Sequence, residues 1–118
     1  MTTNSIDHLL QPLRVPAGWT VVYNTFTTFE PSAPNMRYFF GEWLFCATHA
    51  ADKVGIELRY EPEGNPDGEF VLEYFRLQRA SEGNKFKQAL IEELRSRSIT
   101  EIVSAIERIM AAPVERNG

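Results

Sequence analysis

The sequence has little cysteine, no long hydrophobic run and no basic start, and each shortage excludes a class of protein. Cys46 is the sole cysteine of the 118 residues, so no disulfide forms within the chain and no oxidising compartment is required. The first ten residues place no basic residue ahead of their short apolar patch, so we expect no secretory signal. The richest apolar run, 43–47, is far shorter than the roughly 20 residues of a membrane-spanning helix. We therefore expect a cytoplasmic protein with no membrane partner.

Phosphate-binding loops and basic surfaces are also missing. Four glycines of the middle of the chain lie in or beside predicted turns rather than between a strand and a helix: Gly55, Gly64, Gly68 and Gly83. Arg95 and Arg97 are accompanied by Glu92 and Glu93, so no basic face with interleaved aromatic residues can be drawn. We expect no nucleotide cofactor and no nucleic-acid partner.

What is present is an ordinary globular composition on a chain of single-domain length. Hydrophobic residues make up 43% of the chain and charged residues 24%, which is too apolar for a disordered protein. A chain of this size buries roughly two thirds of its unfolded surface. The sequence therefore predicts a single α+β domain over 1–118, with 113–118 as a flexible tail.

A strict alternation of apolar and polar residues predicts a β-hairpin in the middle of the chain. Four apolar residues alternate with glycine and charged residues: Val54, Ile56, Leu58 and Tyr60. A period of two gives a strand one apolar face and one wet face. Turn-forming residues fill 62–68, and residues 70–77, which have high β-propensity, follow them. The segment 54–77 is therefore predicted to form two strands joined by an acidic turn.

The N-terminal half predicts a short helix, a strand, a loop and a further strand. Ser5 can cap a helix over 5–11, which Pro12 ends. Residues 19–26 are β-branched and aromatic, which is typical of a strand. Two prolines within 30–36 indicate a loop, and 38–47 is apolar at both parities apart from Glu42, as in a central strand covered on both faces.

Two interpretations of residues 85–95 remain open. Phe86, Leu90 and Leu94 recur at steps of four, which favours a helix. The regular spacing of the preceding strands favours a fifth strand, because a meander would continue at the same interval. We adopt the strand, since no glycine or proline ends such a helix before the next one begins.

The C-terminal segment predicts an amphipathic helix that covers one face of the sheet. Ser98 and Glu101 form a capping box, and Pro113 stops the helix. Six apolar residues fall on one stripe behind it: Ile99, Ile102, Val103, Ile106, Ile109 and Met110. The expected fold is thus an antiparallel β-meander of four or five strands with a short N-terminal helix and this helix packed on one face.

Charge is unevenly distributed along the chain. The net charge is −4, but 42–73 holds eight acidic residues against two basic ones, whereas the segment from Tyr74 onward holds eight basic residues against six acidic ones. Four of the acids lie at the predicted hairpin turn: Glu61, Glu63, Asp67 and Glu69. Two prolines stiffen that turn, and a stiff acidic projection loses little entropy when it binds a basic partner. The same acids also fit a merely solvated sheet face.

A thiol, an imidazole and a carboxylate occur within seven residues at Cys46, His49 and Asp52. A nucleophilic cysteine needs a nearby base, but a cysteine at the end of an apolar strand is typically a small core residue. The three residues supply too few ligands for a zinc site, and His8 is remote in sequence. We therefore predict no catalytic residue, no metal and no cofactor, and a small enzyme centred on His49 is the least favoured interpretation.

A compact acidic domain with a β-meander, a terminal helix and no active-site motif resembles the small immunity proteins of bacterial toxin–immunity systems. The resemblance is one of general form and assigns no residue a role. It implies a non-enzymatic protein-binding domain that neutralises a basic toxin through an acidic surface. The charge distribution, and not the resemblance, predicts Glu61, Glu63, Asp67 and Glu69 as the binding residues. The alternative is a small-molecule-binding or sensor domain with a pocket between sheet and helix. A homodimer is compatible with either.

Overall fold

The computed structural model of the chain describes residues 9–79 and 86–111. Five strands form one antiparallel sheet in which each strand pairs with the next along the chain. The elements are β1 (Trp19–Asn24), β2 (Phe45–His49), β3 (Val54–Glu61), β4 (Glu69–Arg79), β5 (Phe86–Ser96) and the helix α1 (Ile99–Ala111). The predicted α+β class and antiparallel meander are confirmed, with five strands.

The β3–β4 hairpin follows the predicted alternation. Val54, Ile56 and Leu58 are fully buried in the core that α1 covers, whereas Glu57 and Arg59 lie half-buried on the opposite face. Leu58 pairs with Leu72, so the apolar faces of the two strands coincide. We call the face that α1 covers the core face and the other the open face.

Residues 86–96 form a strand, and the helical interpretation of this segment is wrong. β5 pairs with β4 from Phe86 opposite Arg79 to Ser96 opposite Phe70, with one irregularity near Tyr74. Helix propensity differs among such residues by only a few tenths of a kcal/mol each. A continuous ladder on an already formed strand outweighs that preference.

The helix α1 lies on the core face, as its apolar stripe predicts. Six of its residues are buried: Ile99, Ile102, Ala105, Ile106, Ile109 and Met110. They join one cluster with the core residues of the sheet. Burial of each large apolar side chain contributes about 1.5–3 kcal/mol, which fixes the helix to the strands.

The start of α1 differs from a simple capping box because a third residue takes part. Glu101 N donates to Ser98 Oγ at 3.1 Å, as predicted. The Glu101 carboxylate does not reach back to Ser98 N; it accepts a 2.5 Å bond from the Ser96 hydroxyl, whose oxygen accepts from Ser98 N at 3.0 Å. The Ser96 hydroxyl therefore connects Ser98 N to the Glu101 carboxylate, which in a simple capping box would accept from Ser98 N directly.

The prediction of an N-terminal helix over 5–11 is wrong for residues 9–11. Residues 5–8 lie outside the described part of the chain. Leu9 belongs to a 3₁₀ turn, and Leu10 forms an antiparallel bridge with Thr27. Gln11 N donates to Phe26 O at 2.8 Å, and Thr28 N donates to Leu9 O at 3.0 Å. Pairing with 26–28 thus replaces the helical bonds here. The predicted tail 113–118 also lies outside the described residues.

The segment between β1 and β2 differs from the prediction more than any other described segment. The predicted loop 30–36 ends in a 3₁₀ helix, Ala33–Tyr38, which begins with a proline in its first turn. The predicted strand 38–47 forms a strand only from Phe45. Met36, Phe39 and Leu44 are buried all the same, because this irregular segment closes one end of the core. The described residues contain no helix long and apolar enough to cross a membrane.

Candidate functional site

The turn between β3 and β4, which we call the acidic loop (residues 61–69), is organised by Asn65. Tyr60 Oη donates to Asn65 O at 2.7 Å, and Gly68 N donates to the same oxygen at 2.9 Å. The Asn65 side chain accepts from Asp67 N at 2.8 Å. The Glu61–Pro62 peptide bond is cis. These bonds give the loop one defined shape.

The acidic loop is docked against the segment that precedes β2. Gly64 N donates to Phe39 O at 3.0 Å, and Gly41 N donates to Glu63 Oε1 at 3.1 Å. Gly64 has φ +68°, and a Cβ there would collide with the Phe40 ring, so glycine is required both for conformation and for space. The loop is therefore held from the side rather than standing clear of the body.

Arg97 supports the acidic loop from the start of α1. Its guanidinium donates to Gly68 O, to Pro66 O at 2.8 Å and to Pro31 O at 3.4 Å. Charged donors to carbonyl oxygens are stronger than neutral ones. A single cation thus joins the acidic loop, the loop before the 3₁₀ helix and the start of α1.

Glu61 and Glu69 are neutralised by arginines of the open face. Arg59 Nε lies 2.5 Å from Glu61 Oε2, and Arg95 Nη1 lies 3.5 Å from Glu61 and 3.4 Å from Glu69. The hydrogen bond from Arg59 lowers the pKa of Glu61 below its ordinary range, against a smaller opposing effect of burial. Arg59 also pairs with Glu73 at 3.1 Å. Glu61 and Glu69 therefore belong to an ion-pair network that joins β3, β4 and β5.

Glu63 and Asp67 differ from the other two predicted residues. Both are exposed, and neither forms an ion pair with the described residues. Within residues 9–79 and 86–111, Glu63 accepts one hydrogen bond, from the backbone N–H of Gly41. The structure thus places all four predicted residues at one end of the sheet, and in the described part of the chain two of them form ion pairs and two do not.

Sequence reasoning missed a groove beside the acidic loop. It has a volume of about 330 Å³ and lies between the end of β1 and the 3₁₀ helix. Its lining residues are Tyr23, Thr25, Thr27, Arg37, Tyr38 and Phe40. Phe40 touches both the groove and Gly64, so the groove and the acidic loop are neighbours. The only available signal was the aromatic run 38–40, which the sequence analysis assigned to a buried strand.

Arg37 and Tyr38, which both line this groove, contact each other. Arg37 Nη2 donates to Tyr38 Oη at 3.0 Å, and its Cζ lies 4.7 Å from the centroid of that ring. Phe29 stacks on the Tyr38 ring at 4.4 Å with an interplanar angle of 6°. Arg37 forms no ion pair with the described residues.

The thiol and the imidazole of the Cys46–His49 segment point to opposite faces of the sheet. Cys46 pairs with Glu57 on the open face, whereas His49 pairs with Val54 on the core face. Burial, with a smaller contribution from Glu57, raises the pKa of the Cys46 thiol to about 11. At neutral pH the cysteine is therefore a thiol, and the imidazole of His49 lies on the other face of the sheet.

His49 belongs to a structural contact at the β2–β3 turn. Its Nδ1 accepts from Asp52 N at 3.1 Å and lies 3.5 Å from the Asp52 carboxylate. Its ring packs edge-on against Trp19, with centroids 5.3 Å apart. Within residues 9–79 and 86–111, no three potential ligands among His, Cys, Asp and Glu converge on a metal position.

Comparisons with protein-family models, with curated proteins and with solved structures found no match to this chain. The site is therefore defined by its own geometry. That geometry is a hydrogen-bonded loop with two exposed carboxylates, the exposed ring of Phe40 and the adjoining groove, all at one end of the sheet.

Proposed function

We propose that this chain is a non-enzymatic protein-binding domain whose acidic loop binds a basic region of another protein. The observation that carries the proposal is the pair Glu63 and Asp67, which are exposed and form no ion pair within the described part of the chain. Free carboxylates on a surface attract a positively charged partner over a distance of about a Debye length.

The rigidity of the loop supports the same function. Asn65 fixes the loop internally, and Arg97 and Phe39 fix it to the rest of the molecule. Binding then orders fewer protein groups, which reduces the entropic cost of association. A carboxylate presented by a fixed backbone also discriminates better between partner geometries.

Phe40 provides an apolar contact beside the charges. Its side chain is 57% exposed, although its ring touches Gly64 of the acidic loop. Binding energy at interfaces is concentrated in a few residues, and aromatic side chains are enriched among them. The charged pair would steer the encounter and the aromatic ring would anchor the complex.

The specific form we propose is an immunity protein that neutralises a basic toxin in the bacterial cytoplasm. An acidic surface complementary to a basic one gives rapid association that salt weakens. The general-form resemblance noted from the sequence and the two free carboxylates support this form.

Co-purification and binding kinetics test the proposal. Tagged protein isolated from its native host is expected to bring down one basic protein. The rate of association with the recovered partner should fall as salt is added. At low salt, the substitutions Glu63→Lys and Asp67→Lys, made together, should lower this rate by about tenfold or more.

Glu107→Lys is the matched control for Asp67→Lys. It changes the net charge equally but lies near the far end of α1, where its carboxylate accepts a bond from Arg14 N. It should leave the association rate near that of the wild type. Equal slowing by both substitutions, or the recovery of no basic protein, would contradict the proposal.

Binding of a small ligand is a second candidate, favoured by the groove of about 330 Å³. The layer between sheet and helix, where a ligand pocket was predicted, is occupied by buried side chains such as Ile56, Leu58 and Ile106. A thermal-shift screen that finds a ligand whose effect is lost in Tyr38→Ala, but kept in Asp67→Lys, would favour this candidate.

A further inference from the structure

The strand β1 is an edge of the sheet that carries no charge. Residues 15–29 contain no acidic or basic side chain. Four consecutive residues of the strand are exposed, and three of them are large and apolar or aromatic: Val21, Val22 and Tyr23. Val21 pairs with Ala47 on the core face and Tyr23 pairs with Cys46 on the open face, so β1 lacks cover on both of its faces there.

The opposite edge of the sheet shows the contrast. β5 carries the charged residues Glu92, Glu93 and Arg95. Charged residues on an edge strand oppose pairing with another chain, and natural proteins commonly protect edges in this way. β1 has no such charge, and its one protective feature is a bulge between Val21 and Tyr23.

The chain that precedes β1 passes on the helix side. Arg14 N donates to the Glu107 carboxylate of α1 at 2.9 Å. Residues 9–11 pair with 26–28, beyond the end of the strand. Within the described residues, the backbone of β1 therefore pairs on one side only, with β2.

From this edge we infer that the protein forms a homodimer in which β1 pairs antiparallel with β1 of a second copy. The pairing continues the two sheets into one and covers the apolar side chains on both faces of each β1. A twofold axis makes the contact self-complementary, since each residue meets its partner reciprocally. An uncharged strand satisfies that condition without placing like charges opposite one another.

Electrostatic repulsion between the two copies favours this arrangement over other contacts between them. Each copy carries a net charge of −4, and the acidic loop lies at the Asn24 end of β1, where Asn24 pairs with Phe45 and Phe45 with Leu58. Antiparallel pairing places the Asn24 end of one strand beside the Trp19 end of the other. The two acidic loops then lie at opposite ends of the joined sheet, where their repulsion is weakest.

Sedimentation equilibrium of the full chain tests the inference. The wild type should show twice the monomer mass of 13.5 kDa at high protein concentration and dissociate on dilution. Val22→Lys should raise the dimer dissociation constant by about a hundredfold, because two like charges are then brought together in the contact. Val22 is 60% exposed, so the substitution should leave the folded monomer intact.

Leu90→Lys is the matched control, because Leu90 is 57% exposed and lies on β5, the other edge. It should dimerise as the wild type does. A wild type that stays monomeric at every concentration would overturn the inference, whether β1 is then free or covered by another segment. So would a dimer that Leu90→Lys disrupts and Val22→Lys leaves intact.

Discussion

At the scale of single residues, the odd spacing of Cys46 and His49 decides their chemistry. Side chains three positions apart on a strand point to opposite faces, so proximity in the sequence separates them in space. Cys46 instead lies opposite Glu57, whose charge adds to the effect of burial and disfavours a thiolate.

The reactivity of Cys46 is therefore predicted to be low. Since burial and Glu57 raise its pKa to about 11, the thiolate is scarce at neutral pH. A thiol reagent should modify the native protein far more slowly than the unfolded protein, and the rate should climb as the pH approaches that value. Rapid native labelling near pH 7 would show that Cys46 is an accessible thiolate.

A second prediction concerns Glu61. Its pKa in the folded state is lowered, so the folded protein binds fewer protons here than the unfolded chain. The resulting stability is fully present above the unfolded pKa and is lost as the pH falls through the folded pKa. Because the Glu61 side chain is 42% exposed, solvent limits the effect to about 0.2–1 kcal/mol.

Urea unfolding of Glu61→Gln measures this contribution. The wild type should be the more stable protein near neutral pH, and the difference should vanish in acid, well below the ordinary pKa of a glutamate. Glu42→Gln is the control, since Glu42 is exposed and forms no ion pair with residues 9–79 or 86–111. A difference that persists unchanged in acid would show that Glu61 acts through packing instead.

The candidate site was only partly predictable from single residues. The four acids were recognisable because they cluster around turn-forming residues. Their division into paired and free carboxylates was only partly recognisable: Arg59 is a near neighbour of Glu61 in the sequence, but Arg95, which pairs with both Glu61 and Glu69, lies on another strand. Arg97 likewise contacts the acidic loop only through the tertiary fold.

At the scale of elements, α1 depends on the three-residue arrangement at its start. Ser96 accepts from Ser98 N and donates to Glu101, so it satisfies one group of the helix start and orients another. Ser96→Ala should destabilise the protein by about 1–3 kcal/mol, because the hydroxyl is buried and both partners lose a bond.

Chemical denaturation should rank the variants of this helix start. Ser98→Ala should cost about 1 kcal/mol as an ordinary N-cap substitution. Thr100→Ala, at an exposed position of the first turn, should be nearly neutral. If Ser96→Ala were as neutral as Thr100→Ala, Ser96 would have no part in capping the helix.

The elements that were predicted correctly share a clear periodicity. β3 alternates strictly because one face is core and the other is wet, and α1 repeats at helical spacing because one stripe meets the sheet. The segment 38–44 has no such pattern. Phe39 and Leu44 are buried although they lie on an irregular backbone segment that closes the end of the core. Their apolar character therefore does not indicate which backbone conformation the segment adopts.

At the scale of the whole molecule, a long-range hydrogen bond joins the first strand to the helix α1. Trp19 Nε1 donates to Met110 O at 3.0 Å, and this bond connects residues 91 positions apart. The acceptor lies in the last turn of α1, where carbonyl groups lack a partner within the helix. The indole therefore caps the end of the helix while its ring contacts His49.

Trp19→Phe should remove this bond while keeping an aromatic ring in the core. We expect a loss of about 1–2 kcal/mol, since a buried carbonyl is left without its donor and the smaller ring fills less space. Trp43→Phe is the natural control, because Trp43 is only half-buried and is the other tryptophan of the chain. Denaturation followed by circular dichroism compares the two without relying on tryptophan fluorescence. Equal stabilities would mean that the Trp19 bond adds nothing to the attachment of α1, and that the apolar stripe alone holds the helix on the sheet.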